Sequence, residues 1–165
     1  MTDISDDDSV SADSVPYTLT PTGTELRYSR WAMGNVYGPE ASALAVPMRI
    51  EQWDGNDFTT NPDENCSSYN AADLQHVDSL GTGSTTPSGA STLVAGEAAL
   101  GSQIQLSPPG IGNEGSSALQ YQGDSWLRFD WDNTAATADT DATGTANFGR
   151  YRGHDRIIYW REVSQ

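Results

Sequence analysis

Glycine, proline, serine and threonine interrupt every apolar run of this chain after a few residues, from Tyr17 onward. No stretch keeps a helical apolar period for more than about two turns, as a helix that buries one face would need to do. Short apolar runs between turn residues are typical of antiparallel β structure, and the unequal loops favour a sandwich over a barrel. The sequence therefore predicts an all-β domain, a β-sandwich of Ig-like or jelly-roll-like type with long loops rich in Gly, Ser, Thr and Asp.

Nine segments have the composition of strands, and the sequence predicts one turn between them most clearly. In Trp53-Asp54-Gly55-Asn56-Asp57-Phe58 the Asp-Gly pair supplies the positive backbone dihedrals of a tight hairpin, with aromatic residues on both sides. Ala71 to Val77 is predicted to form a helical turn capped by Asp73. The predicted strands are Thr24 to Trp31, Leu44 to Trp53, Asp57 to Thr60, Ser91 to Ala95, Ala98 to Ser107, Ser117 to Gln122, Trp126 to Trp131, Gly144 to Tyr151 and Arg156 to Val163.

The length of 165 residues suits one domain with a sizeable core. Residues 1 to 16 are rich in Asp and Ser with almost no apolar content, so they are predicted to be a disordered acidic linker or tail. Residues 17 to 165 are predicted to form a single β-sandwich domain. The N-terminus lacks the basic start and apolar stretch of a signal peptide, so the signal of an exported protein would lie upstream.

The charge balance is strongly acidic. Asp and Glu number 23 against 8 basic residues, all of them Arg, for a net charge of −15. Such a field repels phosphate groups, which makes nucleic acid and anionic membranes poor partners. No apolar run reaches the roughly 18 residues of a transmembrane helix, so membrane insertion is not expected.

The C-terminal block concentrates four of the eight arginines beside three aromatic residues. Its arginines either neutralise the domain's own carboxylates or dock a partner, since Arg, Tyr and Trp are enriched at protein interfaces. The candidate partner-binding residues are Arg150, Arg152, Arg156, Tyr159, Trp160 and Arg161.

The same block completes a series of motifs that resembles the C-terminal domain of MshQ-like proteins over roughly residues 24 to 163. The resemblance lies in motif order: Leu26-Arg27-Tyr28, Asn35-Val36-Tyr37-Gly38, Trp53 to Cys66, Pro109-Gly110-Ile111-Gly112-Asn113, Trp126 to Asp132, and Phe148-Gly149 onward. MshQ-like proteins are large secreted proteins associated with mannose-sensitive haemagglutinin type IV pilus loci. The resemblance implies a secreted or cell-surface location and an adhesin-like class, with pilus or cell-surface proteins as the partners of the C-terminal block, and it brings no established activity with it.

Five Asp and Asn side chains occur within twelve residues near the end of the chain: Asp130, Asp132, Asn133, Asp139 and Asp141. Calcium binds such hard ligands, and a loose calcium loop of the kind that staples extracellular β domains is one interpretation. An EF-hand is excluded, because its sixth position requires Gly and this chain has Ala135 there. A solvated acidic loop without metal is the alternative. Calcium is the only cofactor that the sequence suggests.

Catalytic motifs are missing from the sequence: the two histidines form no metal-binding pair, and no nucleophile elbow or phosphate loop occurs. We therefore expect no enzymatic activity. Most tryptophans are expected to fill the core, with Trp131 as the candidate for ligand binding, stacking on sugar rings in a carbohydrate-binding module. Cys66 is the sole cysteine, so three interpretations are open: a buried inert thiol, a disulfide with another chain, or a disulfide with a cysteine in an upstream segment.

Overall fold

The computed structural model describes residues 27–131 and 139–149. This part of the chain contains no α-helix, only two short 3-10 turns at Ala71–Asp73 and Ser125–Leu127. The strands are β1 Ser29–Met33, β2 Val36–Gly38, β3 Leu44–Ala45, β4 Met48–Trp53, β5 Phe58–Thr60, β6 Ser68–Asn70, β7 Leu74–Ser79, β8 Pro87–Ser88, β9 Ala90–Thr92, β10 Gln105–Leu106, β11 Gly115–Tyr121 and β12 Ala142–Phe148. The predicted all-β class is confirmed, and no helix of the described residues is long and apolar enough to cross a membrane.

Several small sheets surround one hydrophobic core, as in a β-sandwich. The largest sheet has the order β2-β12-β11-β7, and a three-stranded sheet has the order β1-β4-β5. Trp31 of β1 meets Tyr121 of β11 edge to face, with ring centroids 5.1 Å apart. Ile50, Leu119 and Phe148, each at most 2% exposed, extend this core. The three-stranded sheet therefore keeps one face on the core and turns the other outward.

Side-chain alternation along β1 and β4 decides what that outward face carries. In the antiparallel register Trp31 lies opposite Ile50, and Arg30 lies opposite Glu51. Because successive side chains of a strand point to opposite faces, the first pair enters the core and the second pair reaches the outer face. The outer face thus receives charged and aromatic residues from neighbouring strands.

The predicted hairpin is confirmed. Trp53 pairs with Phe58 across the β4–β5 turn, and Gly55 has the positive φ of 107° that only glycine adopts without strain. The carboxylate of Asp54 accepts hydrogen bonds from the backbone N–H groups of Asn56 and Asp57 at 2.8 and 2.9 Å, which lowers the pKa of Asp54. Local turn chemistry therefore fixes the register of the β4–β5 edge.

Other predicted elements differ from the structure. Residues 126–131 do not form a strand: Ser125–Leu127 is a 3-10 turn, and only Phe129 makes an isolated bridge, to Thr140. Asp73 does not cap the short turn at Ala71–Asp73; Asn70 does, by accepting from the N–H of Ala72.

Strand lengths also differ. The predicted strand from 44 to 53 is two strands separated at Pro47, whose missing N–H interrupts a ladder. The predicted strand from 98 to 107 shrinks to β10, and β2, β6, β7 and β8 were not predicted. The predicted tail at 1–16, the end of the predicted strand at 144–151 and the strand at 156–163 lie outside the described residues.

The Pro-Gly-x-x-Asn motif has a structural role. The Asn113 side chain accepts hydrogen bonds from the backbone and hydroxyl of Thr82, both at 3.2 Å, and donates to the carbonyl of Pro109 at 3.0 Å. Gly83 packs so close to Asn113 that a Cβ there would lie 2.7 Å from Cγ. One amide thus joins two loops that the sequence places about thirty residues apart, which explains the motif without a ligand.

Candidate functional site

The most distinctive surface feature is a group of five aromatic rings on the outer face of the β1-β4-β5 sheet, here called the aromatic cluster. It consists of Tyr28, Trp53, Phe58, Phe129 and Trp131. Neighbouring rings lie 5.0 to 6.1 Å apart between centroids, tilted or edge to face. Such contacts hold the rings in fixed relative orientations, so the cluster presents a defined shape.

Arg30 lies at the centre of the aromatic cluster. Its guanidinium carbon is 3.8, 4.5 and 4.3 Å from the ring centroids of Phe58, Phe129 and Trp131. These distances are within the range of cation–π attraction, which contributes about 0.5–2 kcal/mol per contact depending on desolvation. Arg30 therefore ties the segment that carries Phe129 and Trp131 to the sheet.

A buried carboxylate fixes that arginine. The Glu51 side chain is 6% exposed, and its Oε2 accepts from Nε and Nη2 of Arg30 at 2.9 and 2.8 Å. Its Oε1 accepts from Nε and Nη2 of Arg49 at 2.8 and 2.6 Å. Hydrogen bonds between two charged groups are shorter and stronger than those between neutral groups, and here two of them converge on each oxygen. The outer face thus contains two arginines that share one acid.

Three rings of the aromatic cluster reach solvent. Tyr28 is 58% exposed, Trp53 45% and Trp131 42%, whereas the two phenylalanines are half-buried. The expectation that most tryptophans fill the core is wrong for the described residues, where only Trp31 is buried. The predicted ligand-binding residue Trp131 is exposed and belongs to the cluster. Sequence reasoning missed Arg30 and Tyr28 as its neighbours, although the aromatic-x-arginine spacing at 28–30 was visible.

The Asp-rich segment is only partly described. Asp141 is 8% exposed; it accepts from Nε of Arg128 at 2.8 Å and from the Gln120 amide at 3.3 Å. Asp139 is exposed, and Oδ1 of Asp130 is buried with no hydrogen-bond partner among the described residues. Within 27–131 and 139–149, no three His, Cys, Asp or Glu side chains come together as a metal site. Asp132 and Asn133 lie outside the described residues, so the calcium loop stays a prediction.

All six candidate partner-binding residues of the C-terminal block lie outside the described residues. The described chain reaches Gly149, whose positive φ of 74° and tight surroundings exclude a side chain. A Cβ at Gly149 would lie 3.0 Å from a carboxylate oxygen of Glu40 and 2.5 Å from Cγ of Glu114. Two acids therefore stand where the arginine block begins, which is compatible with either interpretation of that block.

A second feature is a cleft of about 580 Å³ on the other side of β1. It is formed by the turn after β5, the 3-10 turn at Ala71–Asp73 and the segment from Tyr121 to Trp126. Trp126 at its rim is 64% exposed, and Trp31 in its wall is 3% exposed. Trp31 Nε1 has no hydrogen-bond partner among the described residues, a deficit that costs about 1–3 kcal/mol for a buried donor.

Two titratable groups of the cleft are perturbed. Burial opposes the ionisation of Glu64, but hydrogen bonds from the N–H groups of Ser67 and Cys66 and from the Ser67 hydroxyl outweigh it and lower the pKa of Glu64. Burial raises the pKa of Tyr121, and the charges of Asp73 and Asp124 add to this rise against an opposing hydrogen bond from the Asn70 backbone. Glu64 is therefore a carboxylate and Tyr121 a neutral phenol at pH 7.

Cys66 also lines the cleft. Its thiol is free and exposed, so the interpretation as a buried inert thiol is wrong. The reason is local: the N–H of Cys66 donates to Glu64 at 2.7 Å, which keeps the residue in a surface turn.

Comparison with known proteins identifies a domain family. Residues 27–163 match the family described as DUF6701, fourth domain, which is an uncharacterised domain family. No curated protein and no solved structure matches the chain. By this match the chain belongs to the family DUF6701, fourth domain.

Proposed function

We propose that this domain is a non-catalytic, adhesin-like surface module of a secreted, pilus-associated protein, and that it docks a pilus or cell-surface protein through the aromatic cluster. The observation that carries the proposal is the set of three exposed rings, Tyr28, Trp53 and Trp131, held around Arg30. Binding energy at protein interfaces concentrates in Trp, Tyr and Arg residues of this kind.

The charge distribution supports a protein partner. The chain carries a net charge of −15, yet the acid within the cluster, Glu51, is buried and already paired with Arg30 and Arg49. The carboxylate at the centre of the cluster is therefore neutralised, and the exposed Asp54 and Asp57 stand at its edge, in the turn between Trp53 and Phe58. A depletion of exposed carboxylates at the centre of a patch is typical of interface cores.

The secreted, pilus-associated setting rests on the resemblance to the terminal domain of MshQ-like proteins. In that setting the C-terminal block, with Arg152 and Arg156 at its middle, is a second candidate docking element. Carbohydrate binding is the alternative function. It is favoured by the exposure of two indoles, Trp53 and Trp131, whose faces are able to stack on sugar rings.

Binding of purified pili to the immobilised 165-residue chain tests the proposal. The double variant Trp53→Ala with Trp131→Ala should weaken binding by roughly thirtyfold or more, since interface hot spots contribute at least about 2 kcal/mol. The matched control is Val94→Ala with Leu100→Ala, two apolar residues exposed by 59% and 94% elsewhere on the surface. The control should bind like the wild type.

The same chain on a glycan array separates the alternative. If the wild-type chain binds glycans saturably but not pili, and the double tryptophan variant loses the glycan binding, carbohydrate recognition replaces the protein-docking function. If only the double variant Arg152→Gln with Arg156→Gln loses pilus binding, the C-terminal block is the docking surface. If every variant binds pili as the wild type does, neither surface docks them.

A further inference from the structure

Strand β7 forms one edge of the four-stranded sheet β2-β12-β11-β7, and among the described residues no strand pairs with its other side. One bond just beyond the strand sets its backbone register: the N–H of Gln122 donates to the carbonyl of Asp73 at 2.9 Å, in line with the β7–β11 ladder. Residues of an antiparallel ladder alternate between bonded and non-bonded pairs, so Val77, four residues after Asp73, bonds to β11. The N–H and C=O groups of His76 and Asp78 therefore point away from the sheet.

The open part of this edge is short. At one end the N–H of Leu74 donates to a carbonyl of the preceding 3-10 turn, and at the other end the carbonyl of Leu80 accepts from Gly83 at 2.9 Å. Val77, in the middle of the open part, is 74% exposed. The strand contains neither Lys nor Pro, two residues that natural edge strands use against pairing. Its free N–H and C=O groups are therefore a template for one more strand.

The side chains along the edge are complementary to those of a second copy. His76 and Asp78 lie on one face of the strand and Val77 on the other. When a second β7 runs antiparallel with a two-fold axis at Val77, His76 of each copy lies opposite Asp78 of the other. The two valines then form a non-bonded pair, whose Cα atoms are about 4.5 Å apart. An axis at Asp78 would instead place two carboxylates opposite each other, which is destabilising.

The carboxylate of Asp78 has room for this additional donor. Its oxygens accept from the hydroxyl of Ser117 at 2.6 Å and from the N–H of Thr85 at 2.9 Å, whereas a carboxylate offers about four acceptor sites. Nε2 of His76 in the same chain lies 3.9 Å from Asp78 Oδ2, which is too long for a hydrogen bond. The imidazole of a second copy therefore finds an acceptor at this edge.

We propose that β7 is a dimerisation edge, to which β7 of a second copy adds antiparallel with the two-fold axis at Val77. Backbone hydrogen bonds between His76 and Asp78 of the two copies join the two sheets into one. Each copy carries a net charge of −15, but this long-range repulsion is screened at physiological salt, where the Debye length is about 8 Å. The contact of His76 with Asp78 lies within that length. The edge belongs to a different sheet from the aromatic cluster, so the inference does not depend on the docking function proposed above.

Analytical ultracentrifugation of the 165-residue chain at physiological salt tests the proposal. A contact this short predicts a weak dimer, which forms for the most part at about 1 mM chain if its Kd is about 0.1 mM. Val77→Lys should weaken the dimer about tenfold, because it replaces an apolar pair by two like charges directly opposite each other. The matched control is Val94→Lys, which adds the same charge at another exposed valine and should dimerise like the wild type.

Disulfide formation tests the register. In a Cys66→Ser background, Val77→Cys should give a disulfide-linked dimer on air oxidation, because a disulfide spans Cα atoms about 4.4–6.8 Å apart and the non-bonded pair places them within that range. Gln75→Cys in the same background should stay unlinked, since the two residues 75 then lie about 14 Å apart along the strands.

Three results would overturn the proposal directly: a wild-type chain that stays monomeric at about 1 mM, a Val77→Lys variant that dimerises like the wild type, or cross-linking through residue 75 as readily as through residue 77. Two others would overturn it by assigning the edge elsewhere. A monomer that Val77→Lys destabilises and Val94→Lys does not would assign the edge to the chain's own residues outside the described ranges. A monomer whose binding to pili Val77→Lys abolishes would assign it to a strand of a pilus protein.

Discussion

Replacement of Glu51 by Gln tests whether one buried carboxylate holds the aromatic cluster together. Each oxygen of Glu51 serves one arginine through two bonds of 2.6 to 2.9 Å, and the side chain is 6% exposed. Gln keeps the shape but loses the charge and one acceptor, so one guanidinium faces an amide NH2 group. Breaking a buried ion pair costs about 3–5 kcal/mol. Because Arg49 is 41% exposed and is rehydrated easily, we expect about 3 kcal/mol.

Urea denaturation of the wild type and of Glu51→Gln measures this difference in the free energy of unfolding. The control is Arg49→Gln, which removes the more exposed partner and should cost only about 0.2–1 kcal/mol, as surface pairs do. A double-mutant cycle should show stronger coupling between Arg30 and Glu51 than between Arg49 and Glu51. If the free energy of unfolding of Glu51→Gln lies within about 0.5 kcal/mol of the wild-type value, Glu51 does not fix Arg30, and the aromatic cluster is not pre-formed in the way described above.

Three further outcomes follow from particular residues. Gly96→Ala should destabilise the fold by about 2–4 kcal/mol in the same assay, because Gly96 has a φ of 79° and a Cβ there would also meet the backbone carbonyl of Asn61. Gly112 has a similar φ of 83° but open space around it, so Gly112→Ala should cost only about 1 kcal/mol. The pKa of Tyr121 is raised in the folded state. Its contribution to stability is therefore complete below the unfolded pKa of about 10 and is lost as the pH rises through the folded pKa. Tyr121→Phe should remove this loss of stability at high pH from a plot of the free energy of unfolding against pH. Millimolar calcium should raise the melting temperature, because a ligand at a hundredfold excess over Kd stabilises the folded state by about 2.7 kcal/mol. A calcium response that survives in Asp132→Asn with Asp141→Asn would refute the predicted loop.

The parts of the fold that the sequence predicted are those set by neighbouring residues. Asp54 and Gly55 determine their turn by local hydrogen bonds and a positive φ, so the hairpin is predictable from the sequence. The segment from Trp126 to Trp131 was misleading because its alternation of large apolar and polar residues also suits a short 3-10 turn that buries only Leu127. Alternation indicates a strand only if a sheet covers one side of it.

The candidate sites depend on contacts across the fold, which spacing does not encode. Trp131 was singled out from its acidic neighbours, but its packing around Arg30 needs the pairing of β1 with β4. The cleft joins residues 31, 64, 73 and 121–126, whose proximity follows from the sheet order and from no local motif. The sequence therefore indicated which residue types bind, and the packing decided where they meet.

The central claim is that partners dock on the aromatic cluster. Its most direct test is to add purified pilus subunits to the labelled chain and to follow the indole N–H signals of the five tryptophans. If partners dock on the aromatic cluster, the signals of Trp53 and Trp131 should shift or broaden, while those of Trp31 and Trp126 stay unchanged. Saturable binding that moves only the Trp160 signal, or that leaves Trp53 and Trp131 unchanged, would contradict it.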